Sequence, residues 1–431
     1  MAELGSRARR SWLPAILVAT AALWWWVGQG LVSSNDGSHL ALGRAVVLRG
    51  ETRIDPEESL TLWIDRAHHE GRVLSDRPPG TAFAALPAIW IGARLDPVLL
   101  DASKSRGEIV YMPATRRYVE TYGVRRQRHG GAGPPLSDLQ GTAVMLGVQA
   151  AAVGVLGSWA MVMLLRLEGV STGAQVFAVV ALTLATLWGP YSTILFSHVT
   201  AGTALASLLL ALELGRRRAE RAEASLGVDV LAGLAASWAV ATDYALAVVV
   251  VPVVVLSAHR RRWLAIALGA VPLTLATALY HHAAFGSPWA IGYDHHAAFS
   301  FTRDRVSTFS GDPLDGIWTL LGLGRGAGVA AQSPIVFVGV AGLVLAGRAR
   351  LLLALAPWTL ALAFHQTPWG GDTFDHRYLV PALPWIGLGL AAAWDRTTRP
   401  SRSRLGLAAL IALALLSTVL VWTSFFAWRG P

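Results

Sequence analysis

Long apolar runs recur along nearly the whole of this 431-residue chain, and they constrain its fold more than any other feature. A helix needs about 20 mostly apolar residues to cross roughly 30 Å of bilayer hydrocarbon. Hydrophobic residues make up 54% of the sequence and charged residues only 15%, which is too apolar for a soluble globular chain. The runs are continuous and rich in Ala and Leu, whereas membrane β-barrel strands alternate apolar with polar residues. The sequence therefore predicts an all-α polytopic membrane protein.

Eleven segments are predicted to cross the membrane. They are 12–33, 139–166, 172–191, 196–214, 227–241, 243–258, 262–284, 333–347, 350–365, 378–394 and 404–426. The first follows basic residues and shows no clear cleavage site of small residues before Asn35, so we expect a retained span and not a removed signal peptide.

The apolar segment 78–95 is ambiguous, because it begins Pro-Pro-Gly and contains Pro87. If it lies on the membrane, the short loops with Arg216–Arg218 and Arg260–Arg262 fall on the same side as the basic amino terminus. That arrangement satisfies the positive-inside rule, which places short basic loops in the cytoplasm. We therefore expect residues 37–49 and 79–95 to form helices along the opposite, non-cytoplasmic interface.

This threading predicts a single membrane domain, 1–431, with non-cytoplasmic segments at 34–138, 285–332 and 366–377. The net charge of +9 comes from short Arg clusters between the apolar runs, so topology explains it and no nucleic-acid partner is indicated. The chain has no Cys, which excludes disulfides and thiolate chemistry. The remaining chemistry rests on polar residues in the three non-cytoplasmic segments, which points to a site on that side of the cell membrane.

Asp36 follows the first predicted span in the sequence Asn35-Asp36-Gly37-Ser38-His39. A carboxylate against apolar surface has a raised pKa and can act as a general base toward a hydroxyl group. The alternative is a helix N-cap by Asp36 or Asn35. His39 is a further candidate for substrate contact.

Asp76 and Arg77 precede two prolines that fix the backbone where the chain meets the membrane. A guanidinium offers a planar fork of donors, which suits the phosphate of a lipid headgroup. The alternative is an exposed Asp/Arg pair before a helix that begins at proline.

The second non-cytoplasmic segment carries Tyr293, His295, His296 and Arg325. Adjacent histidines do not share a helical face, so they form a poor metal motif by themselves, although one of them could act together with Asp76 or Asp36. Arg325 lies between glycines and could approach a phosphate closely, or the glycines could simply end a helix.

The third segment contains Trp369, Asp372 and Arg377. Aromatic rings stack on the C–H faces of sugars, and charged groups bind sugar hydroxyls, although aromatic residues also anchor proteins at the interface. His198 and Asp243 fall at non-cytoplasmic helix ends, where ionisable residues are candidates for substrate binding.

With these groups in order, the chain resembles the C-type glycosyltransferase superfamily. It is most similar to the branch of bacterial protein O-mannosyltransferases and aminoarabinose transferases. The matching stretches are NDGSHLALGRAVVLRG, SDRPPGTAFAALP, FSHVTAGTALASLLLAL, FGSPWAIGY, GRGAGVAAQSP and WGGDTFDHRYLVPALP, which sample positions 35–384.

The resemblance implies transfer of a sugar from a polyprenyl-phosphate donor to a glycan, lipid or protein acceptor, with inversion at the anomeric carbon. It implies that Asp36 is the base, that Asp76 and Arg77 help form the donor or metal site, and that Arg325 and Arg377 line the same cavity. The chain differs from many relatives in having Arg77 where Lys or His is common and no second acid directly beside Asp36.

No cofactor is required by the sequence, and a divalent metal at Asp76, His295 and His296 is left open. The alternative function is a transporter or flippase for a lipid-linked or anionic solute. Transporters usually show internal repeats and ionisable residues near the bilayer midplane, and this sequence shows neither. A non-catalytic assembly factor would have the same spans but would not need Asp36.

Overall fold

The computed structural model describes residues 12–28, 30–106, 114–322, 328–370, 377–399 and 404–429. The helices are α1 (Trp12–Val27), α2 (Ser34–Arg49), α3 (Gly80–Arg106), α4 (Arg116–Arg128), α5 (Gln140–Leu167), α6 (Thr172–Leu184), α7 (Trp188–Tyr191), α8 (Ser197–Glu220), α9 (Leu226–Thr242), α10 (Ala247–Ser257), α11 (Trp263–Phe285), α12 (Arg305–Thr308), α13 (Pro313–Leu321), α14 (Val329–Gln332), α15 (Ile335–Leu345), α16 (Ala349–Phe364), α17 (Leu383–Thr397) and α18 (Arg404–Arg429). A two-stranded antiparallel hairpin, β1 (Ala67–His69) with β2 (Arg72–Leu74), is the sheet of the described residues.

The all-α membrane fold is confirmed, and a helix lies at each of the eleven predicted spans. By length and composition, five of the described helical segments could cross a membrane: Gly80–Ala102, Leu136–Leu167, Ser197–Glu220, Arg260–Phe285 and Arg404–Ala427. Shorter apolar helices account for most of the remaining predicted spans. The predicted span 172–191 is interrupted, because α6 ends at Leu184 and α7 forms a separate turn. The hairpin was not predicted.

Glycines allow neighbouring helices to pack with their backbones in contact, as is common between membrane helices. A Cβ atom on Gly233 would lie 1.8 Å from the carbonyl oxygen of Ile266, where α9 crosses α11. A Cβ atom on Gly342 would lie 2.0 Å from the carbonyl oxygen of Gly389, where α15 crosses α17. A side chain at either glycine would push the two helices apart.

One end of the bundle carries the short basic loops, and we call it the arginine end. There Arg262 is bonded to Asp229 and to the carbonyl oxygen of Leu212, and Arg348 is paired with Glu168. Helices α1 and α5 run antiparallel. Asn35 and Asp36, which follow α1, therefore lie at the other end. That end also holds Arg77 and Arg377, and we call it the site end.

Helix α3 is the segment predicted to lie at the interface, and it is longer than predicted because it continues to Arg106. Its first residue, Gly80, abuts Thr242 at the end of α9, and its residue Leu95 abuts Gly141 at the start of α5. Both neighbours belong to the site end. By length and composition this helix could also cross a membrane, so its position along the interface stays a prediction.

Candidate active site

Asp36 lies in the first turn of α2 and is fully buried. The N-cap of the helix is Ser33, so the alternative of a cap by Asp36 or Asn35 is wrong in detail. Asp36 is instead the partner residue of a capping box, with Oδ2 accepting from the Val32 N–H at 2.7 Å and Oδ1 accepting from the Ser33 N–H at 2.8 Å. Burial raises the pKa of Asp36 to about 7, although the bonds from Val32 and Ser33 oppose the rise.

Two carboxylates, Asp65 and Asp76, hold the guanidinium of Arg77 between them. The Arg77 Nη2 lies 2.7 Å from Asp65 Oδ1, and its Nε lies 3.2 Å from Asp76 Oδ2. Ser34 donates to Asp65 at 2.7 Å, and Ser38 donates to Asp76 at 3.1 Å. All three charged groups are buried or nearly so, which makes the exposed Asp/Arg pair considered from the sequence wrong.

The two carboxylates of this cluster differ in their tendency to ionise. Burial alone would raise the pKa of Asp65, but the charge of Arg77, with the hydrogen bond from Ser34, holds it below its usual range. Burial raises the pKa of Asp76, with the opposing effect of Arg77 being smaller. Asp65 is therefore the carboxylate that neutralises Arg77.

His296 completes the cluster through its Nε2 atom, which lies 3.5 Å from Asp76 Oδ2 and 3.8 Å from Asp65 Oδ1. Its Nδ1 atom accepts hydrogen bonds from the backbone N–H groups of Ala298 and Phe299, both at 3.1 Å. A neutral imidazole has one lone pair for accepting bonds and one N–H. These two backbone donors therefore place the proton on Nε2, facing the carboxylates.

Asp65, Asp76 and His296 are also the described group whose spacing suits a metal, since their ligand atoms lie within 4.8 Å of one another. Spacing is the only criterion that they meet. The Nε2 of His296 presents a proton and not a lone pair, and the Arg77 guanidinium already lies against both carboxylates. The donor set therefore does not fit a divalent metal, and the expected ligand His295 lies elsewhere, with its ring stacked on Phe285.

Two histidines in this region, His39 and His198, are buried with both ring nitrogens lacking a hydrogen-bond partner. Burial lowers the pKa of His39 to about 3, and the nearby charge of Arg77 adds to the effect. The ring of His198 is in edge contact with Tyr378 and lies within range of the charges of Arg377 and Arg77. A buried polar group without a partner is unfavourable by about 1–3 kcal/mol, so these ring nitrogens are available to bond a polar group that enters the site.

Arg377 is buried, and its charge lies close to His198. Its guanidinium carbon lies 5.6 Å from the ring centre of Phe196 and 5.5 Å from that of Tyr378, which are cation–π distances. Gly370 has a positive φ of 87° and packs against the Arg377 side chain. The charges of both predicted site arginines, Arg77 and Arg377, thus lie close to His198.

The structure brings the other predicted residues together only in part. Tyr293 lies near Arg77 and Asp76, whereas Asp243 caps the turn before α10 by accepting from the Ala245 N–H at 3.0 Å. Trp369 is partly buried at the start of the third loop. Arg325 and Asp372 lie outside the described residues, so their roles stay predictions.

Asp65 was missed by the sequence reasoning, although it is bonded to Arg77 and Ser34 and lies 3.8 Å from His296 Nε2. It ends the apolar stretch Leu62-Trp63-Ile64, and an acid at such a position was the available signal. Its partners lie up to 231 positions away from it in the sequence, at His296, and nothing in the local pattern connects them.

No protein-family model matches the sequence, and no curated protein matches it. Among solved structures, the chain is similar to ArnT from Cupriavidus metallidurans bound to undecaprenyl phosphate, with a TM-score of 0.55, 16% identity, and coverage of 94% of this chain and 64% of that one. It is also similar to the archaeal oligosaccharyltransferase AglB from Archaeoglobus fulgidus in complex with an inhibitory peptide and a dolichol-phosphate, with a TM-score of 0.50, 12% identity, and coverage of 97% and 55%.

The chain has the C-type glycosyltransferase fold. This confirms the fold that the resemblance predicted. The chain spans less than two thirds of the length of either solved protein, and at these identities the likeness establishes the fold alone.

Proposed function

We propose that this protein is a membrane glycosyltransferase that moves a sugar from a polyprenyl-phosphate donor to an acceptor on the non-cytoplasmic side. The observation that carries the proposal is the pair of buried, unpartnered imidazoles of His39 and His198, with the charge of Arg77 close to both and the charge of Arg377 close to His198. A phosphate with an attached sugar supplies both an anion for the arginines and hydroxyl groups for the histidines. The lipid tail would lie among the apolar helices.

The solved structures with this fold support the choice of donor. ArnT is described with undecaprenyl phosphate and AglB with a dolichol-phosphate, both of which are polyprenyl phosphates. The site end of the present chain offers buried guanidinium groups to the same headgroup. Among the described residues, the buried charged side chains lie near the two ends of the bundle, which disfavours a transporter with its site at the midplane.

The proposed reaction is a single displacement. The acceptor oxygen attacks the anomeric carbon, its proton passes to the carboxylate of Asp36, and the bond from the anomeric carbon to the phosphate oxygen breaks. The lipid phosphate leaves with the electron pair of that bond, and Arg77 and Arg377 stabilise its charge. Attack opposite to the leaving group inverts the anomeric centre.

The position of Asp36 on α2 defines where the acceptor would lie. With 100° per residue, Ser34 and Ser38 share the side of the helix that faces Asp65 and Asp76, and Asp36 lies on the opposite side. His39 lies between these two sides. A sugar over His39 would have the phosphate toward Arg77 and the acceptor toward Asp36, whose pKa of about 7 suits a general base.

Asp76 is the alternative base, because its Oδ2 faces the cluster without a well-aligned hydrogen bond. Its contacts with Arg77 and Ser38 suit a role in holding the arginine, so we assign the base to Asp36. The two assignments differ in the acceptor position. If Asp36 is the base, Asp36→Asn should lower turnover and Asp76→Asn should lower donor binding. If Asp76 is the base, Asp76→Asn should lower turnover instead.

Transfer activity tests the proposal directly. The purified chain in lipid nanodiscs is incubated with polyprenyl-phosphate sugars and a mixture of glycan, lipid and peptide acceptors, and released polyprenyl phosphate is measured by mass spectrometry. We expect release that depends on an acceptor and is lost in a His39→Ala/His198→Ala variant that still folds. Translocation of intact donor across the bilayer without release would instead establish a transporter.

The side of the membrane is tested with single cysteines in this Cys-free chain. Glu70 is 71% exposed at the site end, and Glu220 is 59% exposed at the arginine end, so both positions are accessible to reagents. In intact cells, an impermeant maleimide should label Glu70→Cys and not Glu220→Cys. Labelling of Glu220→Cys alone would place the site end in the cytoplasm.

A further inference from the structure

We propose that the guanidinium of Arg77 occupies the position that a divalent cation would take between Asp65 and Asp76, so that this site works without a bound metal. The statement about metal binding depends only on the cluster itself. The statement about turnover rests on the proposed function.

The first supporting observation is the set of contacts that the two carboxylates make. Asp65 Oδ1 faces Arg77 at 2.7 Å, and Asp65 Oδ2 accepts from Ser34 at 2.7 Å. Asp76 Oδ1 accepts from Ser38 at 3.1 Å, and Asp76 Oδ2 faces Arg77 at 3.2 Å. Asp65 Oδ1 and Asp76 Oδ2 therefore both face the guanidinium, which occupies the space that a metal ion bound to these two oxygens would need.

The second supporting observation is the tautomer of His296. A metal ligand must present a deprotonated nitrogen. Because Nδ1 accepts from two backbone N–H groups, the remaining nitrogen, Nε2, bears the proton. The Nε2 proton of His296 therefore faces the carboxylates, at 3.5 Å from Asp76 Oδ2 and 3.8 Å from Asp65 Oδ1, where a metal ligand would present a lone pair.

The third supporting observation is the charge balance between Arg77 and the two carboxylates. One guanidinium neutralises one ionised carboxylate, and the buried Asp76 completes the cluster without requiring a further cation. A divalent ion added beside Arg77 would place two cations against the same two oxygens, and their repulsion opposes binding. Arg77 also keeps its charge at every working pH, so the positive charge near the donor phosphate does not depend on metal supply.

Binding of Mn²⁺ provides a test that does not need turnover. Purified wild-type chain and the Asp65→Asn variant are titrated with Mn²⁺, and free Mn²⁺ is followed by electron paramagnetic resonance. We expect the same amount of bound Mn²⁺ for both, since the surface acids are unchanged. A wild-type chain that binds one equivalent more than Asp65→Asn would overturn the proposal.

The Arg77→Ala variant tests the specific role of the guanidinium. Without it, Asp65 and Asp76 lose their cation, and the variant should gain a Mn²⁺ that the Arg77→Ala/Asp65→Asn double variant loses again. A folded Arg77→Ala chain with no gain would show that Arg77 does not take the place of a metal. The wild-type titration still decides the proposal if Arg77→Ala does not fold.

Turnover after treatment with a chelator connects the inference to the reaction. Wild-type release of polyprenyl phosphate should be unchanged by EDTA and should not rise when Mn²⁺ or Mg²⁺ is added back. A rate that falls with EDTA and recovers with metal would overturn the metal-free site and leave the glycosyltransferase function standing. Absence of release under every condition would instead count against the function, while the Mn²⁺ titration would remain valid.

Discussion

The two ends of the bundle each bury an arginine, but the arginines are bonded in different ways. At the arginine end, Arg262 donates to Asp229 at 2.8 Å and to the carbonyl oxygen of Leu212 at 3.2 Å, while Ser225 donates to the other oxygen of Asp229. At the site end, Arg77 lies against two carboxylates, and its Nε contacts Asp76 without an aligned hydrogen bond. The first cluster satisfies the hydrogen bonds of its arginine and aspartate, whereas the second leaves Arg77 Nε and Asp76 Oδ2 without an aligned partner.

The difference teaches how to distinguish a structural ion pair from a binding site. Arg262 joins three helices, and a Cβ atom on Gly215 would lie 2.0 Å from its Nη2, so no ligand fits beside it. Arg77 is surrounded by buried groups with unused bonding capacity, including both nitrogens of His39 and of His198. Unpaired buried groups are unfavourable for folding, and they are kept where a ligand completes them.

The largest effects should come from replacing Arg77 at the site end, which should lower transfer, and Arg262 at the arginine end, which should lower stability. Arg77→Ala should lower transfer by about 10²–10³, because a charged donor to the leaving phosphate is lost. Arg77→Lys should recover only part of this, since the planar fork is lost. Donor-binding and turnover measurements on the folded variants check both values.

The matched change at the other end is Arg262→Ala, which leaves Asp229 buried without its partner. The unfolding free energy should fall by about 3–5 kcal/mol, and the folded fraction should keep its turnover. If Arg262→Ala reduced donor affinity as strongly as Arg77→Ala, the two clusters would not differ in function.

A second comparison uses two buried aspartates. Asp36→Asn removes the proposed base and should lower turnover by about 10² or more. Asp96 is also buried, but its oxygens accept from the backbone N–H and the hydroxyl of Thr142 at 2.7 and 2.8 Å and face Arg44 at 3.6 Å, so its role is to hold α3 against α2 and the start of α5. Asp96→Asn should lower the melting temperature and leave turnover unchanged, and an equal loss in both variants would remove the special role of Asp36.

The pH dependence should follow from Asp36, whose pKa is raised by burial from 3.8 to about 7. Because the base must be ionised, turnover should fall about tenfold for each pH unit below this value. In the same range the folded state binds more protons than the unfolded chain, so the contribution of Asp36 to stability is present below pH 3.8 and lost as the pH rises through about 7. The stability of the wild type relative to Asp36→Asn should therefore fall as the pH rises from 4 to 8, and a difference in melting temperature that does not change with pH would contradict the shifted pKa.

The smallest effect should come from an exposed pair at the arginine end. Arg348 and Glu168 retain side-chain exposures of 20% and 26%, and such pairs contribute less than about 1 kcal/mol. Arg348→Ala should therefore change the melting temperature little and the turnover not at all. A large loss of stability would mean that the arginine end is held together by more than Arg262 and helix packing.

The fold could be predicted from the sequence because hydropathy alone locates helices in a membrane. The hairpin 67–74 could not, since its strands have three residues each and show no readable alternation. Ser33 and Asp36 could have been recognised as a capping box, because their spacing of three is a local signal. Asp65 could not, since its place beside Arg77 depends on how the hairpin folds back, and the tautomer of His296 depends on backbone groups that only the folded chain brings to it.

The central claim is that the site end binds the phosphate of a polyprenyl phosphate, and a structure of the chain in nanodiscs with added undecaprenyl phosphate tests it most directly. Density for the phosphate should lie within hydrogen-bond distance of Arg77 or Arg377, with a nitrogen of His39 or His198 completing the contact. Phosphate density at the arginine end beside Arg216–Arg218, with the site end empty, would contradict the account.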